Sequence, residues 1–496
     1  MKDGMKNEEP SSLKEKTARG LFWGGVSNGV QQLLNLLFGI FLARLLTPAD
    51  YGMVGMLSIF SLIASTLQES GFTAALANKK DACHRDYNAV FWFSTLMGTS
   101  LYVILFLCAP LIADFYHTPE LTPLARYSFL GFLISGTGVA HYAVIFRNLK
   151  VKENAVVMLV ALAVSGTVGV WMAWRGMAYW GIATQSIVYV CCVTALRWYY
   201  SGWRPTCRWD FRPLRGMLAF SSRLLVTNVF QHINYNLLSV VLGRFYAARE
   251  VGFFNQSNKW NYMGYSVIQG MVQGVAQPVL RQVDDDRGRQ VRVFRKMLRF
   301  VAFVSFPCLL GLSLVAPELI TIAITDKWAR SAVLLRMLCV GSAFIPIQNL
   351  YSNLIVSRGR SDVYMWNVIA QGVVQVAVAL TCYRLGMERM VMCYVAVNIG
   401  WTFVWHYLAW REIRLPLWDA LRDTVPFLLM AAGTMWLTGF AVPHVTGNIH
   451  VSFVAKVAMA VALYVGLMML CRVQTFREAW VYFRKKKGDT PDDEKT

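Results

Sequence analysis

The stretch RLLVTNVFQHINYNLLSVVLGRFYAAREVG, Arg223 to Gly252, decides how this chain is built. It is long enough to cross a bilayer, which takes roughly 20 mostly apolar residues. Yet it carries Arg223, Asn228, Gln231, His232, Asn234 and Asn236. In hydrocarbon each unsatisfied polar group costs several kcal/mol, so one side of this helix must face something other than lipid. The stretch also has an earlier copy. Shifted back without a gap, Asn228 falls on Asn28, Gln231 on Gln31, Leu237 on Leu37, Leu242 on Leu42, Arg244 on Arg44 and Gly252 on Gly52, while Glu250 meets Asp50. The identities are few but include most of the unusual residues. We read an internal duplication.

The rest of the chain fits an all-α polytopic membrane protein. Of 496 residues 56% are hydrophobic and only 15% charged, and the mean hydropathy is +0.42, a composition foreign to soluble domains. About 14 spans are expected, near 20–46, 51–77, 88–112, 122–146, 154–174, 177–200, 217–243, 251–279, 299–316, 332–356, 363–384, 387–410, 424–442 and 451–471. The weakest is 251–279, which is polar on one side. The net charge of +20 could suggest nucleic acid, but its distribution argues otherwise. With the N-terminus inside, alternate connections hold 35 of the 48 Lys and Arg residues against 7 in the opposite set. That is a positive-inside pattern, so the basic excess is topological and no nucleic-acid partner is expected. Both termini are then cytoplasmic. The 10 Cys are scattered with no C-x-x-C, giving neither a metal spacing nor a disulfide framework.

The expected organisation is a cytoplasmic tail at 1–19, an N-lobe of six spans at 20–200, a Pro- and Arg-rich cytoplasmic linker at 201–216, and a C-lobe of six spans at 217–412. A further pair of spans at 413–471 and a charged tail at 472–496 follow. Six is an even number, so both lobes enter from the same side, and a pseudo-two-fold along the membrane normal relates them. A transporter of that kind places its path between the lobes. Polar faces should then recur in both copies. In the first span Asn28, Gln31, Gln32 and Asn35 share one helical face. In the second, Ser58, Ser61, Ser65, Gln68 and Glu69 do so. The seventh has Arg223, Thr227, Gln231 and Asn234, with Asn228 and His232 beside them. The eighth has the longest stripe: Asn255, Asn258, Lys259, Tyr262, Ser266, Gln269 and Gln273.

Two readings compete for these stripes. Asn, Gln and Ser can simply glue helices together, at about 0.6 kcal/mol per hydrogen bond. That account is less comfortable for cations, because one near the bilayer centre costs about 2.5–3.5 kcal/mol on insertion scales and usually lines a wet cavity. Lys259 lies some two turns inside the eighth span. Arg223 sits close to a span end and can snorkel, as can Lys456 and Arg336. His232 reads as a packed core histidine before a proton relay. Glu69 stands as the one acid well inside a span, either paired to a cation or carrying a coupling proton. A cavity with several cations and few acids suits an anionic substrate. There is no G-x-x-x-x-G-K-[ST] P-loop, no catalytic constellation, and no cofactor or metal is expected.

Several segments resemble a known family. ARLLTPADYG (Ala43–Gly52), ESGFTAAL, DYNAVFWFS (Asp86–Ser94), RNLKVKENA, DKWARSA (Asp326–Ala332) and SRGRSD (Ser357–Asp362) are similar to the polysaccharide-specific transporters, the O-antigen or Wzx-type flippases of the multidrug/oligosaccharidyl-lipid/polysaccharide exporter superfamily. The resemblance implies two six-helix lobes forming a V around a central cavity, and alternating access. It implies a substrate made of an oligosaccharide on undecaprenyl diphosphate, residence in the bacterial cytoplasmic (inner) membrane, and a role in O-antigen, capsule or exopolysaccharide biosynthesis. Glycosyltransferases and a polysaccharide polymerase are the implied partners. Where relatives often carry Asp two residues before the glycine of the second-span motif, Glu69 precedes Gly71 here. A multidrug extruder of the same superfamily is the alternative, although its cationic substrates would call for an acid-rich cavity. A glycan polymerase or acyltransferase would need a large outer loop and paired catalytic groups, which this chain lacks. The expected substrate contacts are Arg223, Lys259, Asn28, Gln31, Gln32, Asn228, Gln231, His232, Asn255, Asn258, Tyr262 and Gln269.

Overall fold

The computed structural model describes residues 13–69, 72, 73, 76, 79, 81–214, 229, 232–234, 236–283, 286–473, 476 and 477, with side chains from Ser27 onward apart from those of Glu69, Pro443 and Val445. Their regular structure is helical. The chain runs through α1 (Leu13–Leu45), α2 (Pro48–Glu69), α3 (His84–Phe115), α4 (Leu121–Ser128), α5 (Leu130–Gly136), α6 (Val139–Arg147), α7 (Val151–Trp174) and α8 (Tyr179–Ser201). It continues through α9 (Asn236–Phe245) and then α10 (Ala248–Gln282), α11 (Arg287–Ile324), α12 (Ala329–Ser342), α13 (Ile345–Ser357), α14 (Ser361–Cys382), α15 (Met387–Ile413), α16 (Leu417–Val445) and α17 (Ile449–Leu470). Among the described residues ten helices are long and apolar enough to cross a membrane, or eleven if the bent stack Leu121–Arg147 is one span. The other expected spans correspond to α1 and α9, each described only in part, and to α10, whose polar stripe lowers its hydropathy.

The duplication is written into the corners. α1 ends at Leu45 and α2 begins at Pro48; α9 ends at Phe245 and α10 begins at Ala248. Each second helix carries its glycine four residues on, at Gly52 and Gly252. A Cβ on Gly52 would run into the carbonyl oxygen of Ala248, and one on Gly252 into that of Pro48. The two helix starts therefore cross backbone to backbone, which only glycine permits. The same corner is tied down by Arg244, which donates to the carbonyl of Phe115 at 2.7 Å and contacts His117. It thereby satisfies one of the carbonyls left open at the end of α3.

The broken spans repeat as well. One breaks at Thr137–Gly138 between α5 and α6, the other at Ala343–Phe344 between α12 and α13. A break frees carbonyls that lipid cannot satisfy, and both copies solve this with a serine on the long preceding helix. Ser94 donates to Gly136 O at 3.0 Å, and Ser305 to Ala343 O at 2.7 Å. Each broken span then ends in a left-handed residue, Leu149 (φ 53°) or Gly359 (φ 76°). The next amide bonds back into the helix, Lys150 N to Ile145 O at 3.1 Å and Arg360 N to Ile355 O at 3.2 Å.

Two compact units divide the chain, Met1–Gly252 and Phe253–Thr496. In the first, α7 packs on both α1 and α8, and α3 on α4, α5 and α6. A core of Phe72, Leu76, Tyr87, Val90, Phe91 and Val144 includes Leu214 from the linker. In the second, α11 is the central helix, with α12, α16 and α17 packed on it.

The linker is itself part of the first unit. Asn88, buried at the start of α3, donates to Arg208 O at 2.6 Å and accepts from Thr206 N at 2.8 Å. Trp92 donates to Thr206 O at 2.8 Å and stacks on Trp209, ring centres 4.7 Å apart. Arg85 pairs with Asp210. The Asp210 carboxyl is held below the usual carboxylate range by the backbone N–H of Arg212 and by Arg85. The DYNAVFWFS motif thus holds a strap of chain across the end of its own bundle.

Candidate functional site

α10 has two polar faces with different fates. On one, Ser257, Asn261, Tyr265, Ile268, Val272 and Ala276 are buried at three- and four-residue spacing. Ser257 donates to Phe253 O at 2.7 Å and Ser331 O at 2.8 Å, and Asn261 to the Ser342 hydroxyl at 2.8 Å. The bonds to Ser331 and Ser342 fasten α10 to α12. On the opposite face Lys259 and Tyr262 are exposed, and Asn255, Asn258 and Gln269 are half-buried. Lys259 makes no hydrogen bond or ion pair among the described residues. An ammonium in a membrane helix without a protein partner needs water or an anion beside it.

On α1, Asn28, Gln32 and Asn35 are exposed along one face, while Gln31 is half-buried and donates to Ser27 Oγ at 2.9 Å. The structure therefore groups the expected contacts into two stripes. One is Asn28 and Gln32 on α1, with Gln31 turned inward. The other is Asn255, Asn258, Lys259, Tyr262 and Gln269 on α10. His232 is half-buried, and its carbonyl accepts from Asn236 at 3.0 Å. Arg223, Asn228 and Gln231 lie outside the described residues, as does the Glu69 side chain.

The α2 stripe has a different role. Ser58 donates to Gly55 O at 2.7 Å and Asn236 Oδ1 at 3.3 Å, and Ser65 to Leu62 O at 2.9 Å. Gln68 is buried, donates to Phe132 O at 2.7 Å and accepts from Ser135 at 2.7 Å. It braces the stack α4–α6 next to its break. Ser65 thus bonds within α2, while Ser58 and Gln68 tie α2 to its neighbours.

A second charged cluster was not expected. α11 does not stop near residue 316 but continues to Ile324, so Glu318 lies within a helix; Glu69 is not alone as an acid inside a span. Glu318 accepts from Lys456 and, at 3.1 Å, from Ser452, and all three are buried between α11 and α17. Lys456 is therefore an ion-paired residue and does not snorkel. The signal was present in sequence: Ser452 and Lys456 share a helical face, at a depth matching that of Glu318. At the other end of α11, Arg295 bridges Asp423 at 2.6 Å and Asp419 at 3.3 Å on α16. No group of three or more metal-ligating side chains occurs among the described residues.

Residues 41–333 match the model of the family described as "Polysaccharide biosynthesis protein". This chain belongs to that family. Among polysaccharide biosynthesis proteins, it is 22% identical to the lipopolysaccharide biosynthesis protein WzxC of Escherichia coli K12 over 85% of this chain and 88% of the relative. It is 24% identical to the teichuronic acid biosynthesis protein TuaB of Bacillus subtilis 168 over 92% and 95%. Among solved structures it is similar to the lipid II flippase MurJ in an inward closed conformation, with TM-score 0.71, 12% identity, and coverage of 90% of this chain and 98% of that one. It also resembles an inward-facing MATE-family multidrug transporter, with TM-score 0.62, 17% identity, and coverage of 77% and 94%. This polysaccharide biosynthesis protein is thus a multi-pass membrane protein that shares its fold with solved transporters.

Proposed function

We propose that the protein is a flippase carrying an oligosaccharide linked to undecaprenyl diphosphate across the bacterial cytoplasmic membrane, by alternating access, for surface polysaccharide synthesis. The observation that carries this reading is Lys259, an exposed cation on α10 with no hydrogen bond or ion pair among the described residues, set in a row of amides and a phenol. The family and the MurJ-like fold support it. Each sugar hydroxyl taken into hydrocarbon without a partner costs roughly 2–7 kcal/mol, so unassisted flipping of an oligosaccharide is negligible. Amide side chains replace water at the hydroxyls, and the ammonium offsets part of the diphosphate charge. A cationic stripe is the wrong sign for extruding cationic drugs.

In this reading Lys259 and Arg223 attract the diphosphate. Asn28, Gln31, Gln32, Asn228, Gln231, Asn255, Asn258, Tyr262 and Gln269 meet the sugar, and His232 packs beside them. The test is the double substitution Arg223→Ala with Lys259→Ala. Surface polysaccharide should disappear, with lipid-linked oligosaccharide accumulating inside and membrane levels of the protein unchanged. Normal surface polysaccharide in that strain would reject the assignment.

A further inference from the structure

A cavity of about 250 Å³ lies wholly within the second unit, walled by α11, α13, α15 and α16. α15 and α16 are consecutive helices joined by the three-residue corner Arg414–Pro416, with Arg414 left-handed at φ 56°. They diverge from that corner with little packing between them, and the cavity fills the wedge. Its wall includes Tyr351, Phe403, His406, Leu417, Ala420 and Thr424. The polar groups there already have partners. Tyr351 OH meets His406 Nδ1 at 3.2 Å, and Thr424 donates to Ala420 O at 2.9 Å. Thr402 accepts from Gln348 at 3.0 Å, and the rest of the wall is mostly apolar. Phe403 (54% exposed) and Leu417 (43%) stand in the wall and on the outer surface together, so the void opens sideways.

We propose that this cavity binds an acyl chain of a bulk membrane phospholipid as a fixed ligand of the second unit. Three observations select that occupant. The opening lies between two membrane-spanning helices, where the surrounding solvent is lipid chains. An empty, largely apolar void of this size is destabilising, and a wall with so few polar groups is a poor site for ordered water. The corner beside it also has the chemistry of a headgroup site. Trp410 and Trp418 are exposed there, as tryptophans are at a membrane interface. Arg411 and Arg414 are exposed and make no ion pair among the described residues. The neighbouring acids are taken, Glu412 by Arg360 and both Asp419 and Asp423 by Arg295. A phosphate on the arginines places its chain at the mouth of the wedge. The inference is independent of what the protein transports.

The test is photolabelling of the full-length protein in nanodiscs of phosphatidylethanolamine and phosphatidylglycerol, with a phosphatidylglycerol carrying a mid-chain diazirine. Adducts on Phe403, Leu417 and Thr424 should exceed those on the lipid-facing Leu429 by about tenfold, equivalent to about 1.4 kcal/mol of preference. Ala420→Phe fills the cavity and should remove the excess while leaving Leu429 labelling unchanged. Thr424→Phe provides the same test from the next turn should the first variant fail to fold. Labelling no greater than at Leu429, or undiminished in the filled variants, overturns the proposal. So does displacement of the phospholipid adducts by a polyprenyl phosphate at equal mole fraction, which would make an isoprenoid chain the occupant.

Discussion

Lys456 and Lys259, both inside helices of the second unit, have opposite surroundings. Lys456 on α17 is buried against Glu318 and Ser452. Lys259 on α10 is exposed and bonded to nothing among the described residues. Both would incur the cost of a cation in hydrocarbon. One offsets it with a carboxylate and thereby fixes where α17 sits on α11. The other leaves it open to whatever enters. A charge that has a partner belongs to the fold, and a charge without one is available to a substrate.

The sharpest way to break this comparison is to remove Glu318. Taking one partner from a buried ion pair costs about 3–5 kcal/mol, because the remaining charge is stranded. Glu318→Ala and Lys456→Ala should each lower the melting temperature of the purified protein markedly. The double variant Glu318→Gln with Lys456→Met should recover most of the loss, since it leaves no charge behind. If the single variants melt with the wild type, the pair holds nothing in place.

A smaller effect is expected at Gln68 on α2. Its amide links Phe132 O to the Ser135 hydroxyl beside a break in the helix stack. Gln68→Leu keeps the bulk but removes both of these buried hydrogen bonds, at about 0.5–1.5 kcal/mol each. Thermal denaturation should show this destabilisation. Normal stability together with defective export would instead put Gln68 among the substrate contacts and erase its contrast with α10.

The sequence made some of this legible and hid the rest for physical reasons. The duplication was readable because backbone demands preserve residue types: a helix crossing that admits only glycine kept Gly52 and Gly252 in register. The polar stripes were less so. A serine or glutamine that braces a broken helix and one that faces a ligand have the same spacing, and only their partners differ. Gln68 and Gln269 illustrate this: the first is buried with two partners, the second half-buried on the face that carries Lys259. The Glu318–Lys456 pair was missed because the expected span closed at residue 316, while the helix continues to Ile324. The strap of linker on Asn88 was missed because a Pro- and Arg-rich segment reads as a spacer whether or not its carbonyls are bonded.

The smallest expected change in stability is at Lys259, and it is the most informative. An exposed side chain with no hydrogen bond or ion pair among the described residues alters stability by no more than about 0.5 kcal/mol when replaced. Lys259→Ala should therefore melt with the wild type. Export should still fall, and Lys259→Arg, which keeps the charge, should restore it. The copy on α2 provides a control built into the chain. The duplication sets Ile59 opposite Lys259, Gly55 opposite Asn255 and Leu62 opposite Tyr262, so the same frame carries apolar chemistry in one repeat and polar, cationic chemistry in the other. If the cation acts only from α10, then moving it, with Ile59→Lys and Lys259→Ile in one chain, should leave export as low as Lys259→Ala does. Export regained from position 59 would mean that the charge needs only to be present in either repeat, and that the asymmetry between the two has no part in handling the substrate.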